Sequence, residues 1–369
     1  MSRGSPRVVI CGAGVIGASI AYHLALRGIP ATVVERTGIA CAASGKSGGF
    51  LALDWCDGSP LGPLARKSYA MHAELAKSIG RDCGYRAMTT FGVAASARGG
   101  IEADNSSAGA TWLDGDCAVY TRLGSTDSTA QVHPRLFTEA LMAEARSLGA
   151  TVVTGRVEGL DMAGERVRGV RVDGAVMPAD AAVIAMGPWS NTASQWLPLP
   201  PVDGLKGFSI TLAPSAPVPA QALFVEYMDE EGGRASPEIF PRPDGEVYLC
   251  GLSDDQPLPG DPADISLSRS ATATLQGAAG ALASSMGDAR LLTENACYRP
   301  VCADALPLMG EVPGIAGAFV ATGHNCWGIL NAPASGAAMA ELIAEGDSTI
   351  VDLAPFTPAR FQESIYLRN

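Results

Sequence analysis

The chain of 369 residues is 47% hydrophobic, which suffices for one or two sizeable cores and favours two domains or one large α/β unit. A net charge of −12 excludes a surface built to attract nucleic acid or anionic lipid, because such surfaces need clustered Lys and Arg. The nine scattered cysteines lack a CxxC spacing, which indicates free thiols in a reducing compartment and disfavours a metal site or a disulfide framework. Because the sequence shows no membrane span and no signal peptide, we expect a cytoplasmic protein, or an organellar one if a transit peptide has been removed.

The chain begins with a buried strand, a glycine turn and a helix. Residues 7–11 are apolar, Gly12, Gly14 and Gly17 form a GxGxxG pattern, and apolar residues then recur at helical spacing. The next strand, ATVVER, ends in Glu35, at the spacing where a carboxylate meets a ribose hydroxyl. Phosphates would lie on the amides of the helix N-terminus. This order predicts a dinucleotide site, with a turn built only for packing as the alternative.

The middle of the chain changes character twice. PRLFTEALMAEARSLGA predicts a helix that begins at Pro134 and has Phe137 and Leu148 on its apolar face. Three strand segments follow. We predict one short strand in TVVTGRVEGL, a pair of strands in VRGVRVDGAVMPA and a buried strand in AAVIAMGPWS. Residues 97–128 and 213–295 instead show short alternating runs between turn residues, which predicts a largely antiparallel second domain inserted into the first.

The end of the chain returns to the first domain. GAFVATGH predicts a buried strand, and NAPASGAAMAELIAEG predicts a helix that begins near Asn331 and ends before Gly346. We therefore predict an α/β protein, α+β overall, in which a Rossmann-like nucleotide domain is interlaced with a largely antiparallel β domain. The predicted boundaries give the nucleotide domain 1–90, 130–205 and 295–369, and the β domain 91–129 and 206–294.

Seven blocks together resemble one superfamily of flavoproteins. The blocks are GAGVIG (12–17), Glu35, ASGKSGGF (43–50), QVHPRLF, AMGPWS, RPVCADALPLMG and ATGHNCWGILNAPASG. They are similar to D-amino-acid oxidase, glycine oxidase and sarcosine oxidase over essentially the whole chain, and most similar to a fungal and plant branch described only as FAD-dependent oxidoreductases. The resemblance implies FAD and a β domain that binds a small-molecule substrate. It also implies oxidation of the C–N bond of an amino acid or secondary amine to an imine, by hydride transfer to the flavin, with oxygen or another acceptor reoxidising it.

The physical properties of FAD agree with this interpretation. FAD is longer than the reach of one βαβ unit, and the glycines of SGKSGG and TGHNCWG permit the close backbone approach that its flavin end needs. The helix after TGHNCWG would aim its amides at the flavin pyrimidine. For SGKSGG alone, an ordinary turn is the alternative. The resemblance implies these FAD-binding residues: Gly12, Gly14, Val15, Ile16, Gly17, Glu35, Arg36, Ala43, Ser44, Gly45, Lys46, Ser47, Gly48, Gly49, Val157, Gly187, Trp189, Arg299, Gly323, His324, Asn325, Cys326, Trp327, Gly328 and Ile329.

Four residues are candidates for the chemistry. Arg299 falls where glycine oxidase and its relatives hold an arginine that binds the substrate carboxylate, with a structural ion pair as the alternative. Lys46 corresponds to a basic residue near the flavin of sarcosine oxidases, with a solvated loop lysine as the alternative. His324 is a candidate catalytic residue and Trp327 a candidate pocket wall, with ordinary packing as the alternative for each.

Other positions bear on the cofactor and the substrate. Cys297 sits where sarcosine oxidase tethers its flavin, yet Arg299 and Pro300 resemble the noncovalent pattern of glycine oxidase. We expect noncovalent FAD, with attachment at Cys297 as the alternative. Glu238 and Asp254 lie near substrate-contacting positions of glycine oxidase and would favour a basic or amine-rich substrate if they face the pocket, with solvent-exposed loop acids as the alternative.

The oxidant and the class of function are also open at this point. The segment VYLCG has apolar residues where sarcosine oxidase activates oxygen with a lysine, so oxygen is expected to be a poor acceptor. Two other functions are a flavin-containing binding or trafficking protein with little turnover and an NAD-linked dehydrogenase. An NAD-linked fold would have no use for the ATGHNCWG block. The sequence leaves the substrate's identity and the oligomeric state open.

Overall fold

The apolar strands predicted first assemble into one sheet in the computed structural model, which describes residues 5–361. Its strands are β1 (Val8–Cys11), β2 (Thr32–Glu35), β8 (Thr151–Thr154), β12 (Ala181–Ile184), β19 (Leu308–Glu311) and β20 (Ala318–Thr322). Their order is β19-β20-β12-β1-β2-β8, and every pair is parallel except β19 with β20. Parallel strands are covered on both faces, which explains the unbroken apolar runs of β1, β12 and β20.

Helices cover one face of this six-stranded sheet, and β-strands cover the other. The helices are α1 (Val15–Leu26), α2 (Leu61–Ser78), α3 (Pro134–Ser147) and α6 (Gly328–Glu345). The opposite face packs against a three-stranded antiparallel sheet of β9 (Val157–Ala163), β10 (Arg166–Val172) and β11 (Ala175–Pro178). A second three-stranded sheet joins β3 (Phe50–Ala52), β7 (Thr129–Gln131) and β4 (Arg86–Ala87).

The glycine- and proline-rich segments build an eight-stranded sheet. Its strands are β5 (Thr89–Ser96), β6 (Cys117–Gly124), β13 (Asp203–Ala213), β14 (Gln221–Met228), β15 (Arg234–Ala235), β16 (Glu238–Pro241), β17 (Val247–Asp254) and β18 (Arg290–Val301). The order is β18-β13-β17-β16-β14-β5-β6, with β15 on β14, and only β5 and β14 pair in parallel. Helix α4 (Arg269–Leu282), followed by the short α5 (Ser284–Gly287), packs on the face that carries Ile239 and Leu249.

The predicted fold class is confirmed, and three local predictions are wrong. TVVTGRVEGL holds two strands in different sheets, since β8 pairs with β2 and β9 with β10. Leu148 is 44% exposed because α3 ends one residue earlier. Helix α6 begins at Gly328 rather than near Asn331. The domain boundaries stay predictions, and β13 and β18 each run across one of them. Within the described range, every helix is too short or too polar to cross a membrane.

Pro333 lies inside α6 without ending it. A proline has no N–H, so the carbonyl four residues earlier, at Ile329, loses its helical partner. The Nε2 atom of His72 on α2 donates to that carbonyl at 2.9 Å, and the Ala334 amide donates to Ser68 Oγ at 3.1 Å. Helix α2 therefore supplies the hydrogen bonds that keep the first turns of α6 intact.

Candidate functional site

The GxGxxG turn opens into a cavity at the carboxyl ends of the parallel strands. Strand β1 lies between β2 and β12, so the loops that follow these strands diverge and leave a crevice of the kind that binds nucleotides. The cavity measures about 390 Å³. The predicted cofactor residues that line it are Gly12, Gly14, Glu35, Arg36, Ala43, Ser44, Val157, Gly187 and Trp189.

The three glycines of the turn are required for different reasons. Gly12 has φ +109°, and a Cβ there would lie 2.4 Å from the carbonyl oxygen of Ala185. A Cβ on Gly17 would lie 2.0 Å from the carbonyl oxygen of Gly12. A Cβ on Gly14 would meet only the Ser44 hydroxyl, at 3.1 Å. Gly12 and Gly17 therefore serve the fold, whereas Gly14 faces the cavity.

Glu35 is fixed at the edge of this cavity by backbone amides. Its Oε2 accepts from the Ala13 amide at 2.8 Å, and its Oε1 accepts from the Thr37 amide at 2.9 Å. Ser44 Oγ accepts from the Val15 amide at 2.9 Å, at the beginning of α1. The helix start and the acid thus face one crevice, as a nucleotide phosphate and a ribose hydroxyl require.

The connection between β17 and α4 closes one side of the cavity. We call residues 255–268 the strap. Trp189 Nε1 donates to the carbonyl oxygen of Pro259 at 2.9 Å, and Arg36 donates to that of Gly260 at 3.0 Å. The Arg36 guanidinium also lies 5.6 Å from the centre of the Trp189 ring. Two predicted cofactor residues therefore bind the strap, a contact that the sequence did not indicate.

Lys206 anchors the strap at its other end. Its side chain is 1% exposed, and Nζ donates to Gln256 Oε1 at 2.6 Å, Ser266 Oγ at 3.1 Å and Asp254 Oδ2 at 3.4 Å. Asp254 is therefore bound to a lysine on the α4 side of the sheet. Gly251, with φ +111°, forms a β-bulge that turns the end of β17 to this side.

The opposite face of the eight-stranded sheet packs on the SGKSGG loop. Tyr248 donates its hydroxyl to the Lys46 carbonyl at 2.8 Å, and Lys46 Nζ donates to the carbonyl oxygen of Ala296 at 3.2 Å. A Cβ on Gly48 would lie 2.3 Å from the Phe240 ring. A glycine is thus required at position 48 because the Phe240 ring of the sheet packs directly against the loop. The sequence pattern did not indicate this contact.

The carboxyl end of β18 lies against three turns that carry predicted cofactor residues. It packs on Ala43–Gly45, Gly187–Gln195 and Asn325–Trp327, and Val301 forms a β-bridge with His324. Loss of hydration raises the pKa of the Cys326 thiol, and the charge of Arg299, near the end of the strand, opposes this rise. The structure therefore places the strand that carries Arg299 against both glycine-bearing segments.

Glu238 lies on the same face as Arg299 and is held by Cys250. The two residues are direct partners on β16 and β17, and Cys250 Sγ lies 3.6 Å from Glu238 Oε2. Burial raises the pKa of the Glu238 carboxyl, and the charge of Arg299 opposes this rise. The sequence paired Glu238 with Asp254 as candidates, and the bulge separates them onto opposite faces.

The TGHNCWG turn places its side chains in different surroundings. Gly323 and Asn325 have φ of +75° and +49°, so the chain turns sharply before α6 begins. The His324 imidazole is buried, its Nε2 lies 3.1 Å from Ser335 Oγ, and burial lowers its pKa to about 3. This favours a packing role for His324. Trp327 is half-buried against the core under α6, which leaves both of its predicted roles open.

Comparisons with known proteins decide the family. The family model "FAD dependent oxidoreductase" (DAO) matches residues 7–342. The chain belongs to the DAO family of FAD-dependent oxidoreductases. The oxidoreductase C1F5.03c of Schizosaccharomyces pombe is 31% identical over 95% of this chain and 97% of its own length. Glycine oxidase of Pseudomonas aeruginosa is 28% identical over 96% and 99%. The crystal structure of glycine oxidase from Geobacillus kaustophilus is 26% identical, with a TM-score of 0.75 over 97% of this chain and 99% of that one.

The residues present fit the FAD of the DAO family. Glu35, the start of α1 and the glycine-lined cavity match the adenosine and phosphate end. At the flavin end, Ser47 Oγ and Asn325 Oδ1 are buried without a hydrogen-bond partner in the described part of the chain, which leaves donors and acceptors for a cofactor. Ser47 and Gly49 belong to the SGKSGG loop, and Gly323 and Asn325 belong to the turn before α6. Gly328 and Ile329 begin α6, Val15 and Ile16 begin α1, and Gly45 ends the short turn Ala43–Gly45.

Sequence reasoning missed Tyr248, Cys250 and Lys206. Tyr248 and Cys250 belong to the segment VYLCG, which we interpreted as apolar. Their hydroxyl and thiol groups lie on the sheet face toward the SGKSGG loop. Lys206 lies in a strand that showed no motif. A buried lysine needs partners, and its partners lie about fifty residues along the chain, so only the fold reveals the strap.

Proposed function

We propose that this protein is an FAD-dependent enzyme that oxidises the C–N bond of an amino acid or secondary amine to an imine. The observation that carries the proposal is the position of Arg299, on the strand that contacts both the SGKSGG loop and the TGHNCWG turn and on a sheet face that also presents Glu238. Membership of the DAO family and similarity to glycine oxidases support the same reaction.

The chain's own residues have limited tasks in such a reaction. FAD, when bound, supplies the hydride acceptor, so the protein must orient the substrate and select its neutral amine. A guanidinium binds a carboxylate through two parallel hydrogen bonds, a geometry that suits Arg299 to hold an amino acid. The N-terminus of α6 and the Lys46 ammonium favour negative charge at the flavin end of the site.

We further propose noncovalent FAD and an acceptor other than oxygen. Burial raises the pKa of the Cys297 thiol to about 11, so the thiol that would form a covalent bond stays protonated at neutral pH. Tyr248 and Cys250 stand where an oxygen-activating lysine is expected in sarcosine oxidase. A reducing compartment, with the cytoplasm as our choice, is supported by nine cysteines that are all free.

Replacement of Arg299 tests the proposed role. Arg299→Met leaves a substrate carboxylate without its partner, a loss of about 2 to 5 kcal/mol for a buried charge pair. The kcat/KM for amino acids should therefore fall roughly thirtyfold to several-thousandfold, while the FAD content stays unchanged. Arg234→Met, on an exposed arginine of the same sheet, is the control and should leave kcat/KM unchanged.

The outcomes separate the alternatives. An Arg299→Met protein that fails to bind FAD or to fold would show that Arg299 is a structural ion-pair partner. Unchanged turnover of an amino acid would overturn the carboxylate role and favour an amine held by other residues. A wild-type protein that binds FAD but is reduced by no amine would favour the binding or trafficking function.

A further inference from the structure

We propose that Glu238 binds the substrate's ammonium group and accepts its proton, so that with Arg299 it selects a zwitterionic amino acid. This inference rests on the proposed function and deepens it. The bond changes are simple, since an ammonium N–H bond breaks and an O–H bond forms on Glu238. The amine then enters the oxidation neutral, and the proton returns to water when the product leaves.

Glu238 and Arg299 place two opposite charges on one side of the sheet. Glu238 and Arg299 lie on the same face of one sheet, and Arg299 acts on the Glu238 carboxyl electrostatically. No nitrogen of Arg299 comes within 4.0 Å of a Glu238 oxygen, so the two do not form a closed ion pair. Two opposite charges that face one site without touching match the two charges of an α-amino acid.

The Glu238 carboxylate can accept more hydrogen bonds than the protein gives it. The hydrogen bond that Glu238 makes within the protein comes from the Cys250 thiol, which is a weak donor, at 3.6 Å. A half-buried carboxylate with one weak donor retains capacity for a strong one, such as an N–H of a substrate. Asp254, by contrast, is already bound to Lys206 on the other face.

The groups around Glu238 decide which of them can take the proton. The titratable groups around the Glu238 carboxyl are Arg299, Cys250, Tyr248 and Cys326. Burial raises the pKa of the Cys250 thiol and of the Tyr248 phenol, and the pKa of the Cys326 thiol is raised as well. These three groups therefore stay neutral near pH 7, which leaves Glu238 as the group of this cluster that can accept a proton. Burial raises the pKa of the Glu238 carboxyl above its usual value, which makes it a stronger base.

Matched ligands test the charge that Glu238 recognises. D-alanine and propionate differ only in the amino group, as do proline and cyclopentanecarboxylate, and each can be titrated against the visible spectrum of the bound flavin without oxygen. Glu238→Gln should bind propionate and cyclopentanecarboxylate about tenfold more tightly, the effect of removing a like-charge interaction worth one pKa unit. Glu226→Gln is the control, because Glu226 is an exposed carboxylate on β14. It should leave the affinities for propionate and cyclopentanecarboxylate unchanged.

The pH dependence of flavin reduction tests the proton transfer. D-alanine, sarcosine and L- and D-proline are mixed anaerobically with the holoenzyme, and the second-order rate constant of reduction is measured for those that react. Glu238→Gln must take its amine neutral from solution, so this constant should fall by about tenfold for each pH unit below the pKa of the amine and recover at high pH. Glu238→Asp should restore part of the neutral-pH rate.

The results distinguish the two proposals. Wild-type protein that none of these amines reduces contradicts the proposed function. Wild-type protein that is reduced, with the same pH profile and the same carboxylate affinities in Glu238→Gln, overturns the role of Glu238 and leaves the proposed function intact. If Glu238→Gln does not fold, Glu238→Asp must shift the pH profile, and an unshifted profile overturns the inference equally.

Discussion

Replacement of Gly14 by alanine should abolish tight FAD binding and leave the fold intact. Gly14 has φ −73°, which alanine adopts freely, and the new methyl group would meet only the Ser44 hydroxyl at 3.1 Å. The stability of the FAD-free protein should therefore change by less than about 1 kcal/mol. The methyl group projects into the cavity, however, where it would hold a pyrophosphate away from the amides at the start of α1.

The loss of affinity follows from the hydrogen bonds that backbone amides at the start of α1 would no longer donate to the pyrophosphate. A hydrogen bond to a charged group contributes about 1.5–3 kcal/mol, so the loss of two such bonds costs about 3–6 kcal/mol. FAD should bind roughly a hundredfold to ten-thousandfold more weakly. Gly12→Ala is the matched control, because φ of +109° and a Cβ 2.4 Å from the Ala185 carbonyl oxygen place its cost in the fold itself. That variant should lose at least about 2 kcal/mol of stability.

Two measurements on the same apoproteins check this reasoning. Urea unfolding gives the stability, and quenching of FAD fluorescence on titration gives the affinity. The account requires Gly14→Ala to be stable with weak binding and Gly12→Ala to be unstable. If Gly14→Ala binds FAD within threefold of the wild-type affinity, or unfolds as readily as Gly12→Ala, the different roles assigned to these glycines are wrong.

Two further predictions concern the strap and acid stability. Lys206→Met keeps the buried volume but removes the hydrogen bonds that hold the strap, so FAD should dissociate faster, by about tenfold; dialysis against flavin-free buffer measures the rate, and an unchanged rate would contradict the role of the strap. Burial lowers the pKa of His23 and His72 to about 4 and that of His324 to about 3, from 6.5. The unfolded chain therefore binds more protons below pH 6.5, and the free energy of unfolding should fall as the pH drops to about 4, by up to about 1.4 kcal/mol per pH unit for each histidine. Urea unfolding between pH 4 and 8 checks this sign, and stability that rises on acidification would refute it.

The sequence predicted the dinucleotide half of the molecule because its signals are local. The glycine turn and Glu35 are separated by one helix, so spacing alone places them at one crevice. The sequence predicted the first residue of α6 less accurately. A proline normally marks a helix start, and the hydrogen bond that His72 gives to Ile329 lets α6 continue through Pro333.

The substrate half could not be predicted in the same way. Glu238 and Asp254 both occur in short strands of one sheet, and an ideal alternation places them on the same face. The extra residue at Gly251 reverses this alternation, and a β-bulge leaves no clear mark in a single sequence. Strand pairing across distant segments likewise decides that β18, the strand of Arg299, meets the SGKSGG loop.

The central claim is that amine oxidation reduces a flavin at the site beside Arg299. The measurement that tests it most directly is anaerobic mixing of the purified, FAD-loaded protein with D-amino acids, N-methyl amino acids and cyclic imino acids while the absorbance of the oxidised flavin is recorded. The account predicts that at least one of these compounds bleaches the flavin in the wild-type protein and does so at least thirtyfold less efficiently in Arg299→Met. A flavin that stays oxidised with every member of the panel, or that is bleached equally in both proteins, would contradict it.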